Sequence, residues 1–204
     1  MTEEIRDEQE LRTFYGSPNF RAARKQMDKL DKHCRHFISL SPFLVLATAG
    51  EKGTDASPRG DAPGFVAVVD DHTLIIPDRP GNNRVDSMTN IMENPNVGLL
   101  FMVPGIKETL RVNGKASVTA EPPLLEPMSA RGKVPRSGLV IKVEEVYLHC
   151  AKALIRSKLW DPETQVERSA FPTLGQIFKD QIDEVDDAEE TDRAIQEGYT
   201  TRLY

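Results

Sequence analysis

The chain has 204 residues, long enough to bury one full core with extensions at either end and no need of disulfides. It is 39% hydrophobic and 28% charged, an ordinary globular balance, and 26 basic against 32 acidic residues leave a formal charge of −6. That charge argues against a sequence-independent nucleic-acid binder, which needs a net basic face, while a local basic pocket for a small anion stays open.

The longest apolar runs, 43–49 and 98–103, fall far short of the roughly 20 residues a transmembrane helix needs. The first dozen residues are acidic and polar, with no apolar signal core, and read as an arm or a short surface helix. Cys34 and Cys150 are the only cysteines. One disulfide is a pairing they allow, but without a signal peptide they read as buried, reduced thiols in a cytoplasmic protein.

From Asn19 the pattern turns helical. Phe20, Ala23, Met27, Leu30, Cys34 and Phe37 recur every three or four residues, which predicts one amphipathic helix with Asn19 as its N-cap and Pro42 as its stop. The period then shortens. Segment 43–48 (FLVLAT) reads as a strand followed by a turn at 50–53. Segments 65–69 and 73–76 read as a hairpin around Asp70, Asp71 and His72. A helix is expected over 82–92 after the Pro80-Gly81 break, then strands over 97–103, 109–119 and 137–147. Six or seven strands with few helices between them predict an antiparallel barrel or sandwich. Beyond them, short helices are expected at 122–131, 151–159 and 173–182. The acidic run 180–192 reads as a solvated surface or tail.

No dinucleotide fingerprint, P-loop or nucleophile elbow is present, so catalysis here would depend on a bound cofactor. His33, Cys34 and His36 supply too few ligands on one helix face for a metal, and no metal site is expected. His149 and Cys150 read as a strand-end packing pair.

Three basic elements stand out. Arg79 and Arg84 flank the Pro/Gly break, with Asn82 and Asn83 between them. A helix first turn holding Asn82, Asn83 and Arg84 would offer free N–H groups and two guanidiniums to an anion. Two solvated arginines at a helix start are the alternative. In 56–61 (ASPRGD) an extended chain points Ser57, Arg59 and Asp61 to one side, where Arg59 either reaches a ligand or pairs with Asp61. Pro58 marks that segment as an edge or a bulge. Lys152 and Arg156 share a helix face, poised for a ligand or simply solvated.

In order, the segments 43–48 (FLVLAT), 53–61 (GTDASPRGD), 74–84 (LIIPDRPGNNR), 90–101 (NIMENPNVGLLF) and 110–116 (LRVNGKA) resemble the pyridoxamine 5'-phosphate oxidase-like FMN-binding split-barrel family. The segment 148–160 (LHCAKALIRSKLW) is similar to a bacterial branch of FMN-dependent enzymes. The resemblance implies a mainly β fold, a six-stranded antiparallel split barrel with peripheral helices, assembled as a homodimer with FMN at the subunit interface. It divides the chain into an N-terminal arm and helix packing on the barrel (1–40), an FMN-binding core (41–150), and C-terminal helices with an acidic tail (151–204). By segment order it places Arg59 at the phosphate and ribityl chain, Asp78 and Arg79 where the third strand ends beside the flavin, and Asn83 and Arg84, after Asn82, as the pair that binds phosphate at the helix start. It places Thr109 and Arg111 against the flavin ring, and Lys152, Arg156 and Ser157 on an element closing the site from the partner chain.

The vitamin-converting members carry an Arg…Lys second strand, a Ser-Arg-Lys turn and a C-terminal tryptophan and arginine. Here stand ASPRGD, Asn82-Asn83-Arg84 and the ending GYTTRLY. The implied function is therefore an FMN-dependent oxidoreductase acting on a small organic molecule, without pyridoxamine phosphate oxidation. A non-catalytic flavin carrier, or a deazaflavin or haem binder like other relatives of this fold, is the alternative. No nucleic acid or membrane partner is implied.

Overall fold

The structure is a computed structural model that describes residues 4–204; the first three residues of the expected N-terminal arm lie outside the described residues. Seven strands form one antiparallel sheet: β1 (Phe43–Gly50), β2 (Gly53–Gly60), β3 (Ala67–Asp70), β4 (Thr73–Pro77), β5 (Asn96–Met102), β6 (Thr109–Thr119) and β7 (Gly138–His149). Their order is β2-β1-β5-β6-β7-β4-β3. The expectation of a mainly β, antiparallel fold holds, but the six-stranded barrel does not: there are seven strands, and the ladder is open between β2 and β3.

The strands form where β-branched and apolar residues alternate. On β1 the buried residues are Leu44, Leu46 and Thr48, and their ladder partners on β5, Phe101 and Leu99, are buried with them. Leu110 and Val112 of β6, Ile141 and Val146 of β7 and Leu74 and Ile76 of β4 complete one continuous core. Each such side chain contributes about 1.5–3 kcal/mol when fully buried. Where β6 meets β7 the register slips between Asn113 and Gly114. There the backbone of Lys142 comes so close that a Cβ on residue 114 would overlap its carbonyl oxygen, so this position requires glycine.

The helices depart from the sequence expectations in three places. The predicted single N-terminal helix is two: α2 (Phe20–Arg24), capped by Asn19, and α3 (Lys32–Leu40), capped by Asp31. Between them Met27 leaves the helix and exchanges backbone hydrogen bonds with Val146. The pairing gained on the sheet outweighs two turns of helix propensity. Before them lies a short α1 (Glu8–Tyr15) with no buried residue.

The helix expected from residue 82 begins later, as α4 (Asp86–Glu93). Asn83 and Val85 have φ of 59° and 54°, so the chain is left-handed where the first turn was expected. α4 lies across β1, with Asn90 donating to the Thr48 hydroxyl at 3.0 Å and Ser87 to the Asp55 carboxylate at 2.8 Å.

After β6 come α5 (Pro122–Leu125) and a short 3-10 turn, and after β7 come α6 (Lys152–Ser157) and α7 (Leu174–Gln181). The second half of the acidic run is no tail: it enters α8 (Ala188–Thr201), capped by Asp187 and tied to α7 by Gly175 N–H donating to Asp192 at 2.8 Å. No described helix is long and apolar enough to cross a membrane.

Candidate functional site

Four strands separate β2 from β4 in the ladder, yet their ends touch. Arg59, near the end of β2, donates to Asp78 just after β4 at 3.0 Å. Arg79 Nε donates to Asp61 at 2.5 Å. The sheet therefore curls until its two flanks come within side-chain reach, and two crossed ion pairs join them where the backbone ladder does not. The alternative in which Arg59 pairs with Asp61 is not what forms: each turns to the opposite flank.

The register explains the direction of Arg59. It stands opposite Leu44, which stands opposite Phe101, and both are wholly buried. Directly opposed residues share a face, so Arg59 points to the core side of the sheet. Its side chain is only 20% exposed, and its Nε is buried with no hydrogen-bond partner. A buried donor left open costs free energy that a ligand oxygen would recover.

Asp61 is more enclosed, with a side chain 4% exposed. Burial alone would raise its pKa, but hydrogen bonds from the Tyr204 hydroxyl, the Ala62 N–H and Arg79 outweigh that and hold it below the ordinary carboxylate value. Arg79 also donates to the Met128 carbonyl at 2.9 Å, which fixes its plane.

Asn82, Asn83 and Arg84 lie in the exposed loop that leads from this cluster to α4. The Asn82 side chain accepts from the Arg84 N–H at 3.1 Å, and Arg84 Nε donates to Asp86 at 2.7 Å. Asp86 occupies the first turn of α4. Its carboxylate takes the place beside the helix N-terminus that the sequence reading reserved for an anion.

Thr109 and Arg111 belong elsewhere. Arg111 stands opposite Tyr147 and Leu100, and Leu100 stands opposite Val45, all on the face of the sheet away from the core. Arg111 donates to the Tyr147 hydroxyl at 2.8 Å and lies over its ring at 5.4 Å, while Lys25 lies over the same ring at 5.0 Å. Thr109 is buried opposite His149. The His149 Nδ1 is buried without a partner. Burial first, then the charges of Arg111 and Lys25, lower its pKa, so it is neutral at pH 7.

Lys152, Arg156 and Ser157 are exposed on α6. Among the described residues no hydrogen bond or ion pair joins them to either group; Ser157 donates only to the Leu154 carbonyl at 3.3 Å. Within one chain the expected site residues thus fall into four places: a core-side cluster at the meeting of β2 and β4, the exposed loop at 82–84, an outward group on β6 and β7, and α6.

Sequence reasoning missed Asp61 as the centre of the cluster, read His149 only as half of a strand-end packing pair, and missed Tyr204 and Tyr147 altogether. Alternation could have found Tyr147 and His149, two apart on β7; nothing local marks Tyr204, which lies 143 residues from its partner. Among the described residues no group of three His, Cys, Asp or Glu side chains could hold a metal ion.

A family model described as pyridoxamine 5'-phosphate oxidase matches residues 30–150, more than half of the chain. No curated protein matches the chain. Among solved structures it is similar to HupZ of Group A Streptococcus, at 19% identity over 58% of this chain and 93% of that one, with a TM-score of 0.49. General Stress Protein 26 from Bacillus anthracis is 20% identical over 57% of this chain and 93% of its own, with a TM-score of 0.42. An F420 reductase is 16% identical over 59% and 98%, with a TM-score of 0.43.

Proposed function

The chain belongs to the pyridoxamine 5'-phosphate oxidase family, and from that premise we propose that it binds FMN and acts as an FMN-dependent oxidoreductase on a small organic substrate. One observation carries the cofactor half of the reading: the orphaned Nε of the buried Arg59, beside Arg79, at the open seam of the sheet. Two guanidiniums held in place by carboxylates suit a phosphate, because their planes are fixed before the ligand arrives. Arg59 and Arg79 would hold the phosphate, with Asn82, Asn83 and Arg84 in the adjoining loop. Arg84 must then give up Asp86 to contribute.

Bound flavin would supply hydride and electron transfer; the residues around it supply position and charge. Arg111, kept in place by Tyr147, brings a fixed positive charge to the outward face. Such a charge stabilises negative charge developing on a ligand held against it. His149, neutral and with a free nitrogen, can accept or donate one hydrogen bond there.

Arg59 and Arg111 face opposite sides of the sheet, so a site using both is built from two copies of the chain. The half-buried outward side chains of Phe43, Val45, Leu100 and Met102 support such a homodimer. Concentration-independent monomers in light scattering would refute it.

The test of the cofactor is direct. Protein incubated with FMN and desalted should retain a bound-flavin spectrum, and NADH or NADPH should bleach it, with colour returning in air. Colourless protein refutes FMN binding. Flavin that stays bound and resists every nicotinamide donor supports the second reading, a flavin carrier, which is favoured by one observation: the carboxylates of the cluster, Asp61 and Asp78, are each engaged by an arginine. No carboxylate there is free to act as a base.

A further inference from the structure

The hairpin of α7 and α8 packs chiefly on itself. Gly175 is the only buried residue of either helix, so close to the Ala188 carbonyl that a Cβ would overlap it. Helices of 8 and 14 residues are marginal in water without a packed face. Over 174–201 nine acidic residues stand against two basic ones, a larger negative charge than the −6 of the whole chain. At the turn between the helices Ile182 is 40% exposed. Asp183, Glu184 and Asp186 beside it are exposed and join no ion pair among the described residues.

α6 is the complement of that turn. Lys152, Ile155 and Arg156 are spaced to share one helix face, and Lys158 and Leu159 follow at its end. All five are exposed, and the three cations join no ion pair among the described residues. No acidic residue occurs over 146–160. Two apolar side chains among three cations thus match one apolar side chain among three carboxylates.

Within one chain the two do not meet: among the described residues no hydrogen bond or ion pair joins them. The linker between them is tied down. Trp160 Nε1 donates to the Ile106 carbonyl at 2.9 Å, the Thr164 hydroxyl to the Lys158 carbonyl at 2.9 Å, and Arg168 to the Phe171 carbonyl at 2.6 Å. A linker fixed at these points keeps the hairpin where it stands, so its complement lies on another molecule.

We propose that the acidic turn 182–186 docks on α6 of a second copy of this chain. In a two-fold pair the contact is made twice, once in each direction. The docking rests on the homodimer reading above only in needing two copies side by side.

Sedimentation velocity of the full chain over a range of concentrations tests it. One variant carries Lys152→Glu, Arg156→Glu and Lys158→Glu; the other carries Asp183→Lys, Glu184→Lys and Asp186→Lys. Each alone sets like charges together at both contacts and should dimerise about tenfold more weakly than the wild type. An equimolar mixture of the two should restore wild-type dimerisation, because in the mixed pair both contacts join opposite charges. The neutral set Lys152→Gln, Arg156→Gln and Lys158→Gln removes attraction without adding repulsion, and should fall between the wild type and the first variant.

Variants that dimerise as tightly as the wild type would overturn the docking and leave the homodimer standing. So would a mixture no tighter than either variant alone. A wild type that stays monomeric at every concentration would overturn both.

Discussion

Arg59→Ala tests the phosphate assignment most sharply. The Arg59 guanidinium is about four-fifths buried, with one nitrogen on Asp78 and its Nε unsatisfied. A charge-assisted hydrogen bond from such a group to a phosphate is worth about 1.5–3 kcal/mol. At about 1.4 kcal/mol per tenfold, FMN should bind roughly ten to a hundred times more weakly to the variant. Riboflavin, which lacks the phosphate, should lose less than about threefold. The control is Asp78→Asn, which frees Arg59 from its ion pair and should leave FMN affinity unchanged or improved. Because Arg59 is mostly buried and Asp78 partly so, Asp78→Asn leaves the guanidinium short of a partner and should cost more stability than an exposed pair, about 1–3 kcal/mol. Flavin fluorescence titrations and thermal melts of all three proteins decide the matter. Equal losses for FMN and riboflavin, or equal drops in Tm for both variants with no change in flavin affinity, would show that Arg59 only fastens the two flanks of the sheet.

Val85→Asn should raise stability by about 1 kcal/mol, because a β-branched residue pays for its left-handed backbone and asparagine tolerates it; a lower Tm would refute this. Gly114→Ala should cost about 3 kcal/mol, through overlap with the Lys142 carbonyl, measured by urea unfolding. In native protein one thiol of two should react with a disulfide reagent: Cys150 is exposed, whereas burial and then Asp31 push Cys34 up to about 11. Asp31→Ala should cost about 1 kcal/mol by uncapping α3. Hydrogen bonding from the Cys34 backbone N–H lowers the Asp31 pKa, so its contribution is present above the unfolded value of 3.8 and is lost as acid takes pH below it; the Tm gap between wild type and variant should close there.

The strands were legible because alternation and apolar runs report a half-buried surface directly. FLVLAT, the hairpin around Asp71 and the long β6 all fall where the pattern puts them. Helix boundaries were less legible, since long-range pairing decides them. Met27 fits the helical stripe and still leaves it for Val146, 119 positions away. Asn82 and Arg84 look like a helix start by composition, but Asn83 and Val85 adopt left-handed backbones, which asparagine tolerates and valine does not. The acidic stretch hid α8 because its charge masked a sound N-cap at Asp187. Arg59 and Arg79 were picked out by type and spacing and Asp78 only through the family resemblance, whereas their crossed pairing needed the sheet to curl. No reading of 56–61 alone could supply Asp78 as the partner of Arg59.

The order of the sheet also accounts for where chemistry can happen. A fully closed ladder would satisfy every strand edge with backbone hydrogen bonds and leave no gap between strands. Here closure at the seam falls to side chains: two arginines, two aspartates and the ring of Tyr204. Pro58, on the edge strand β2, removes one donor that another strand would require and so discourages backbone pairing there. Side-chain ion pairs can be exchanged for a ligand's anion one at a time, at little net cost, while a broken ladder exposes backbone groups in both strands. If the flavin reading holds, the seam is the part of the core that would accept its phosphate without unfolding.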